Sequence, residues 1–346
     1  MPGGATIVSG ALSGLQSLLD ERGLEPADFG RRSGVPVCAW QNRRTEIPLS
    51  SFVAIYEDGA SALAQPGIGW QSGRHFDFAD LGDLGEALVS APTVGAALRT
   101  FVRFIRFVQS ETEMQLEVED GMATLSYRIL NPDIWPRRQD AEFTLSVLRE
   151  LIRRGAGPDW TPDLVCFEHA TARTLSAWGE ATGCLCVFEA ETNALSFPES
   201  VLNAPMTRHD GGLHRRCLEN LTRRLADTTR TTSLTERTRM AIYAGLGTGA
   251  ADQETISRDL GLSRRSLHRR LFSEGTRFSA LLEDCRFRVA RQALAASSHT
   301  LAEIAFELGY SDQTAFERAF KRRTGLTPKR YRRLFQLPSQ DPANPL

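Results

Sequence analysis

Eight polar side chains belong to two segments of similar pattern, ISRDLGLSRRSLHRRLF over 256–272 and IAFELGYSDQTAFERAF over 304–320. Arginine can donate two parallel hydrogen bonds to guanine, glutamine can pair with adenine, and a carboxylate can accept from cytosine. Side chains of these types can therefore recognise the base edges of duplex DNA. They are Arg265, Ser266, His268 and Arg269 in the first segment and Gln313, Thr314, Glu317 and Arg318 in the second.

The second segment has the features of two short helices joined by a sharp turn. Thr300, followed three residues later by Glu303, predicts a capping box at the start of the first helix. Gly309 can adopt the positive φ that the turn favours, and either Ser311 or Asp312 can cap the second helix. An apolar stripe on each helix would be buried and leave the polar set outside. The stripes are Leu301, Ile304, Ala305 and Leu308, then Ala315, Phe316, Ala319 and Phe320.

The first segment repeats this pattern about 48 residues earlier, with Ile256 and Leu260 before the turn at 261–263 and Leu267 and Leu271 after it. Apolar residues at three- and four-residue steps predict one long helix between the two units. These residues are Phe278, Leu281, Leu282, Cys285, Val289 and Ala293. Successive turns of the major groove lie roughly 34 Å apart, so one chain with two recognition helices could read two of them without dimerising.

Positive charge is concentrated in the C-terminal part of the chain. Residues 232–335 carry 19 Lys and Arg against 11 Asp and Glu, the rest carries 22 against 31, and the whole chain has a net charge of −1. A basic module neutralises DNA phosphates, and here it is attached to an acidic part with another role. All cations except Lys321 and Lys329 are arginines, which genome base composition explains as well as guanine recognition does.

Residues 300–332, TLAEIAFELGYSDQTAFERAFKRRTGLTPKRYR, resemble the C-terminal signature of the AraC/XylS family of bacterial transcription regulators. The shared features are the A-x-x-x-G-Y-x-D/S turn, the F-x-R-x-F-K segment and the G-x-T-P-x-x-Y-R close. Residues 254–299 are similar to the first DNA-reading unit and connecting helix of the family, with Arg286 at its usual place. The resemblance implies base contacts from the two polar sets and phosphate contacts from a further group. That group is Lys321, Arg322, Lys329 and Arg330.

An arginine-rich helix is in most proteins only a solvated face. Here two turns, two inward stripes and a connecting helix agree, which favours DNA binding, and we expect Arg264 to contact DNA as well. Glu317 has a second interpretation, because a carboxylate repels phosphates and could instead hold a neighbouring arginine in place.

The first 225 residues predict helices followed by a small mixed sheet, which is an α+β sensor domain, and the C-terminal part is predicted to be all-α. Helical periodicity covers 9–22, 48–64, 94–109, 139–154 and a stretch near 173–181. Strands are predicted at 113–119, 122–130 and 163–168, and as a pair at 184–189 and 193–197.

Residues 204–232 begin with a polar stretch and end in a threonine-rich linker. Between these, Leu213, Cys217, Leu221 and Leu225 recur at helical steps. The helix could pair with its copy in a second subunit or close the sensor, and the sequence leaves both open.

The N-terminal part is similar to the arabinose-binding-type domain of a branch of the family that includes regulators of ornithine and amine catabolism. The similarity is carried by IGWQSG, by LGDLGEALVSAPTVGAALRTFVRF, by RRQDAEF and by the run 160–169. Aromatic and a few polar groups form small-molecule cavities, although such residues are more often part of a core. The candidate effector contacts are Trp70, His75, Phe76, Trp135, Arg137, Arg138 and His169.

The sequence contains no G-x-S-x-G, Walker-type or H-E-x-x-H motif, so we expect no catalytic residue, no metal site and no cofactor. Cys184 and Cys186 would share a strand face, where packing explains them better than a metal pair does. Cys38 lacks the surroundings that a nucleophile for repair of DNA alkylation would need. No stretch predicts a membrane span and residues 1–10 predict no export signal, so we expect the protein in the cytoplasm.

We predict a sensor domain over 1–225, a linker over 226–235, a DNA-binding domain with two helix-turn-helix units over 236–335 and a flexible tail over 336–346. The predicted function is sequence-specific regulation of transcription, with an amine, amino acid or related metabolite as effector. We expect activation of a catabolic operon through RNA polymerase, and a homodimer is possible. The alternatives are a ligand-independent or repressing DNA-binding protein and an architectural DNA-bending protein, the last of which would not need so large an acidic domain.

Overall fold

The computed structural model describes residues 5–171, 175–231, 233–246, 250–296 and 299–335. The predicted tail, 336–346, lies outside these residues. The chain divides into two compact units, one ending at Arg230 and the other beginning at Thr231. No helix within the described ranges is long and apolar enough to cross a membrane.

The first unit combines ten α-helices among its described residues with two small sheets. Its helices are α1 Ser13–Asp20, α2 Pro26–Ser33, α3 Val37–Gln41, α4 Leu49–Ala62, α5 Ile68–Arg74, α6 Asp83–Val89, α7 Val94–Phe104, α8 Arg138–Ala156, α9 Leu175–Thr182 and α10 Gly211–Thr231. Its strands are β1 Thr6–Val8, β2 Glu46–Pro48, β3 Thr112–Glu119, β4 Met122–Ile129, β5 Leu164–Cys166, β6 Leu185–Val187 and β7 Asn193–Pro198. The mixed α+β class predicted for this part is confirmed.

The larger sheet has the strand order β3-β4-β7-β5-β6. All neighbouring strands run antiparallel except β5 and β6, which are parallel. Both strands of the predicted pair at 184–189 and 193–197 exist, but they do not pair with each other, because β5 lies between them. The segment that joins β6 to β7 passes over β5, so these two strands do not form a hairpin.

Helix α8 runs through the centre of the first unit and is buried along most of its length. Helix α5 packs on it so closely that two of its positions must be glycine. A Cβ atom on Gly69 would lie 2.0 Å from the carbonyl oxygen of Gln139, and one on Gly73 would lie 2.4 Å from Cβ of Ser146. The IGWQSG motif therefore records the close approach of two helices.

Helix α10 closes the first unit with its apolar stripe. Cys217 and Leu221 are buried in the core of that unit, and Leu213 and Leu225 pack against it. The stripe is thus used within its own subunit, which favours the second of the two roles left open by the sequence. The linker predicted over 226–235 is helical to the end of α10, because threonine has only a weak preference against helix.

The second unit is all-α in its described residues, as predicted. Its helices are α11 Leu234–Gly245, α12 Gln253–Asp259, α13 Arg264–Ser273, α14 Phe278–Ala296, α15 Leu301–Glu307, α16 Gln313–Thr324 and α17 Pro328–Phe335. Helices α12 and α13 form the first helix-turn-helix unit, and α15 and α16 form the second. The long connecting helix predicted between them is α14.

Alanine at position 69 should destabilise the first unit, because its methyl group would enter the carbonyl of Gln139 on α8. We expect Gly69→Ala to lower the free energy of unfolding by roughly 1 to 3 kcal/mol. All five tryptophans lie between residues 40 and 178, so urea unfolding of the full chain followed by tryptophan fluorescence reports on this unit.

Gly59→Ala is the matched control, because a Cβ atom there would meet only Cδ1 of Ile68 at 3.8 Å. We expect this variant to be neutral or more stable by up to about 1 kcal/mol, since alanine restricts the unfolded chain. Equal losses in the two variants would contradict the packing argument.

Candidate nucleic-acid interface and sensor site

Recognition helix α13 begins at a serine cap and exposes its polar side. The hydroxyl of Ser263 accepts from the backbone N–H of Ser266 at 3.1 Å. Leu267 and Leu271 are buried, so the opposite side of the helix faces solvent. That side presents Arg264, Arg265, His268 and Arg269.

Ser266 is less available than its neighbours. It is half-buried, and its hydroxyl accepts from the hydroxyl of Ser263 at 2.9 Å. Ser266 is the predicted base contact of this helix whose backbone N–H and hydroxyl both bind the capping Ser263.

Helices α15 and α16 have the capping and turn features that the sequence predicted. The Thr300 hydroxyl accepts from the Glu303 N–H at 3.2 Å, and Glu303 accepts in return from the Thr300 N–H at 2.6 Å. Gly309 adopts a φ of +70° in the turn. Asp312, rather than Ser311, caps α16 by accepting from the Ala315 N–H at 2.7 Å.

The outer side of α16 carries Gln313, Thr314 and Arg318 exposed to solvent. Glu317 is half-buried, and its Oε1 accepts a hydrogen bond from Nε2 of Gln313 at 2.6 Å. Glu317 therefore orients the carboxamide of Gln313 and not a neighbouring arginine. Phe316 and Phe320, on the inner side, are buried in the core of this unit.

The predicted phosphate contacts differ in their availability. Lys321, Lys329 and Arg330 are exposed. Arg322 is paired with Glu283 of α14 at 2.5 Å, but 70% of its side chain is exposed. Exposed ion pairs contribute little free energy, so Arg322 can exchange this carboxylate for a phosphate.

Two arginines that anchor the second helix-turn-helix unit were not assigned this role by sequence reasoning. Arg286 of α14 donates to the carbonyl of Gly309 at 2.7 Å, and its guanidinium lies 4.8 Å from the ring centre of Tyr310. Arg323 of α16 donates to Asp284 at 2.6 Å and lies 4.2 Å from the ring centre of Phe287. Arg323 fixes α16 against α14, and Arg286 fixes the preceding turn against the same helix. The position of Arg286, which is usual in the family, was the sequence signal for its contact.

Phe272 was also missed as a surface residue. It is 69% exposed and lies one turn after His268 on the outer side of α13. When the two helices are aligned by their caps, Ser263 and Asp312, Phe272 takes the position of Lys321. The two recognition helices therefore differ in the apolar or cationic character of this position.

The seven candidate effector contacts do not form one site. Trp70 and His169 belong to one buried aromatic cluster, because both rings contact Phe167, at 6.4 Å and 5.0 Å between ring centres. Phe76 lines a separate small cavity. His75 is exposed, with its Nδ1 3.6 Å from Glu21, so it contributes to neither place.

Arg137, Arg138 and Trp135 lie around the start of α8. Arg137 is buried and donates two hydrogen bonds to Glu168, at 2.6 Å and 3.0 Å, and a third to the carbonyl of Ile129. Its guanidinium lies 5.7 Å from the ring centre of Trp135. Arg138 lies 3.5 Å from Glu57. Because Arg137 is fully engaged in these contacts, its role here is structural pairing.

Two buried ionisable groups near the start of α8 have shifted pKa values. Burial raises the pKa of Asp140 to about 7, although the hydroxyl of Tyr127 donates to its carboxylate at 2.7 Å. Burial lowers the pKa of His169 to about 4, so its ring is neutral at pH 7. Within the described residues, Oδ1 of Asp140 has no hydrogen-bond partner, and Nε2 of His169 lies 3.6 Å from Oε1 of the buried Glu142, beyond hydrogen-bond distance.

The small cavity has a volume of about 30 Å³. Its lining is mostly apolar, including Phe76, Phe101 and Phe143, with Gln109, Tyr127 and Thr144 as polar groups. A volume of this size holds one or two water molecules. A larger ligand would require the surrounding helices to move apart.

In the described part of the chain, no group of three or more His, Cys, Asp or Glu side chains is placed to hold a metal ion. Two exposed recognition helices in one basic unit, which follows a separate α+β unit in the chain, define a DNA-binding regulator with a second, sensory domain.

Comparison with known proteins identifies the family. Residues 23–206 match the arabinose-binding N-terminal domain of AraC transcription regulators, and residues 256–334 match a helix-turn-helix domain. The chain therefore belongs to the AraC family of transcription regulators, as its sequence features predicted, and the relatives below are regulators and not enzymes.

Three relatives cover most of the chain. The transcriptional regulator VirS of Mycobacterium tuberculosis is 28% identical over 95% of this chain and 97% of its own length. The ornithine utilization regulator of Pseudomonas aeruginosa is 30% identical over 79% of this chain and 80% of its own. The transcriptional activator NphR of a Rhodococcus species is 27% identical over 75% and 82%. The crystal structure of the regulator CdpR from Pseudomonas aeruginosa aligns over 94% of this chain and 98% of its own, with 20% identity and a TM-score of 0.47.

The pKa of His169 predicts an acid-sensitive step in the stability of the first unit. The folded protein keeps the ring neutral down to about pH 4, whereas the unfolded chain takes up a proton near the ordinary value of 6.5. The stability contributed by neutral His169 is therefore lost as the pH falls through this window. As the pH falls from 6 to 5, we expect the free energy of unfolding of His169→Gln to decrease by roughly 1 kcal/mol less than that of the wild type.

Asp140→Asn should have the opposite effect. Between about pH 4 and pH 7 the folded state holds a proton on Asp140, whereas the unfolded state has released it. This group therefore adds to the stability of the folded state as the pH falls. The Asn variant should be more acid-sensitive than the wild type. Urea unfolding at several pH values gives the slope of unfolding free energy against pH for the wild type and for both variants. If the two substitutions change this slope in the same direction relative to the wild type, the assignment is refuted.

Proposed function

We propose that this protein is a ligand-responsive activator that reads two successive major-groove segments with α13 and α16. The observation that carries the proposal is the pair of exposed polar helix faces joined by one continuous helix, α14. It would act in the cytoplasm, where the DNA is. Activation would follow from contact with RNA polymerase, and a relative named as a transcriptional activator supports that sign of regulation.

Base recognition is proposed for Arg265, His268 and Arg269 of α13 and for Gln313, Thr314, Glu317 and Arg318 of α16. The hydrogen bond from Gln313 to Glu317 supports a joint role, because it fixes which edge of the carboxamide faces outward. A glutamine held in this way can present a donor and an acceptor to adenine. Lys321, Arg322, Lys329 and Arg330 would neutralise phosphates, with Arg264 adding to the field at the start of α13.

For the effector we propose an amine, an amino acid or a related metabolite, bound near the start of α8. The carboxylate of Asp140 has a free oxygen there, and the ring of His169 offers a neutral nitrogen. An ammonium group could donate to the first, and a polar group of the ligand could engage the second. A relative named for ornithine utilization is consistent with this chemistry.

The signal would be a shift between two populations of the protein. An effector that binds one arrangement of the first unit more tightly favours that arrangement by its difference in binding free energy. The change would reach the second unit through the chain after α10 and alter the orientation of the reading helices on DNA. A homodimer, if formed, would add a second route for the same signal.

Substitution of the proposed readers should separate base recognition from phosphate contact. We expect Arg269→Ala or Arg318→Ala to cost about 1 to 3 kcal/mol of binding free energy at one base position and to relax the preference there. Lys321→Ala should weaken binding to all sequences and reduce the slope of log affinity against log salt by about 1. Titrations of the full chain on its promoter site and on base-substituted sites measure both, and identical behaviour of the three variants would disprove the assignment.

Effector binding is tested by the thermal stability of the full chain in the presence of amines, amino acids and sugars. A ligand at 100 times its dissociation constant stabilises the folded state by about 2.7 kcal/mol, which raises the melting temperature by several degrees. The shift should vanish in Asp140→Asn. A shift that the variant retains would place the site elsewhere, and DNA binding without any ligand response would favour a constitutive regulator.

A further inference from the structure

Two thiols lie side by side at the edge of the larger sheet. Cys186 belongs to edge strand β6 and is 8% exposed, and Cys184, just before the strand, is half-buried. Between them Leu185 is 66% exposed on the other face. Exposure alternates along this stretch, so Cys184 and Cys186 share the inner side.

Thr182, the last residue of α9, connects the two cysteines. Its hydroxyl lies 3.4 Å from Sγ of Cys186, and it also accepts from the N–H of Cys184 at 3.3 Å. The thiol of Cys186 in turn donates to the carbonyl of Cys184 at 3.8 Å. These contacts turn the thiol of Cys186 back toward its neighbour.

The two thiols differ in their tendency to ionise. A hydrogen bond between the two thiols lowers the pKa of Cys184, with smaller contributions in the same direction from Thr182 and from the charge of Arg149. The same bond, together with burial, raises the pKa of Cys186 well above its ordinary value. The pair therefore combines one thiol that ionises more readily with one that stays protonated, the combination that thiol oxidation and disulfide closure require.

We propose that Cys184 and Cys186 form a reversible oxidation site, in which Cys184 reacts with a hydroperoxide and Cys186 closes a disulfide. The Cys184 thiolate attacks the terminal peroxide oxygen, the O–O bond breaks, and the departing oxygen takes up a proton as an alcohol or as water. Cys184 is then a sulfenic acid. The Cys186 thiol attacks its sulfur and loses its proton, the S–O bond breaks, and water leaves, so that the pair has given two electrons to the peroxide.

The strand geometry makes the oxidised state easy to reverse. Residues two apart on an extended strand are separated by about 6.6 Å between Cα atoms, near the upper limit for a disulfide. Closure must therefore bend β6, and strained disulfides are more readily reduced than relaxed ones. Because β6 is an edge strand that pairs only with β5 in the described sheet, the bend disturbs one ladder of hydrogen bonds.

The test uses the reduced full chain exposed to hydrogen peroxide or cumene hydroperoxide at pH 7. Trypsin leaves both cysteines on one peptide, residues 174–208, so the disulfide appears as the loss of two hydrogens from that peptide alone. We expect this loss before any change at Cys38, Cys166 or Cys217, and dithiothreitol should reverse it. Intact thiols at 184 and 186 while another cysteine oxidises first would overturn the proposal.

Variants separate the two roles. Cys184→Ser should abolish the disulfide, seen as the loss of two hydrogens. In Cys186→Ala no second thiol can react with the sulfenic acid, so dimedone should form an adduct with Cys184. In Cys186→Ala the alkylation of Cys184 by iodoacetamide at pH 7 should also slow by roughly tenfold, because its pKa returns toward the ordinary range.

Cys186→Ser retains a hydroxyl at the same position and checks that the alanine variant has not simply lost its fold. In Cys186→Ser the dimedone adduct should form as well. Cys166→Ser, on the neighbouring strand, is the control and should oxidise like the wild type. A disulfide that persists in either variant at 186, or that depends on Cys166, would refute the pairing.

Discussion

The placement of the second recognition helix depends on the guanidinium of Arg286. It donates to the carbonyl of Gly309 in the turn and covers the ring of Tyr310. A planar guanidinium can donate to a carbonyl of such a turn while it stacks on an aromatic ring. Helix α14 also contributes Ala290 and Leu294 to the core of the second helix-turn-helix unit. The turn, α14 and α16 therefore move as one body.

In the first unit the corresponding constraint is the burial of charge at the start of α8. Arg137 and Glu168 neutralise each other, whereas Asp140 and His169 are buried with an incomplete set of partners. Burial of this kind costs stability, and proteins retain it where a site needs reactive or responsive groups. The two shifted groups act on stability in opposite directions over the same pH range, so their effects on the pH dependence of stability partly cancel in the wild type.

Sequence patterns predicted the two helix-turn-helix units and the helix between them, because these helices are amphipathic and the turn residues have strong local preferences, whereas α11 and α17 were not predicted. Thr300, Glu303, Gly309 and Asp312 each take the local role that the sequence predicted. The first unit was predicted less well. Helix α5 escaped notice because its glycines, which α8 requires, lower helix propensity. The effector candidates were chosen by residue type, and type alone did not show that His75 is exposed while Arg137 is engaged by Glu168.

The inequality of the two reading helices gives the protein a polarity. Phe272 stands in α13 where Lys321 stands in α16, and the polar sets around them also differ. In the proposed reading of two groove segments, a single chain with unlike readers would recognise an asymmetric operator and lie on it in one direction, unlike a symmetric repressor on a palindrome. The direction of the operator would then decide which flank of the regulator faces the start of the transcript. Inverting the operator, with no base changed, would be a different signal for such a protein.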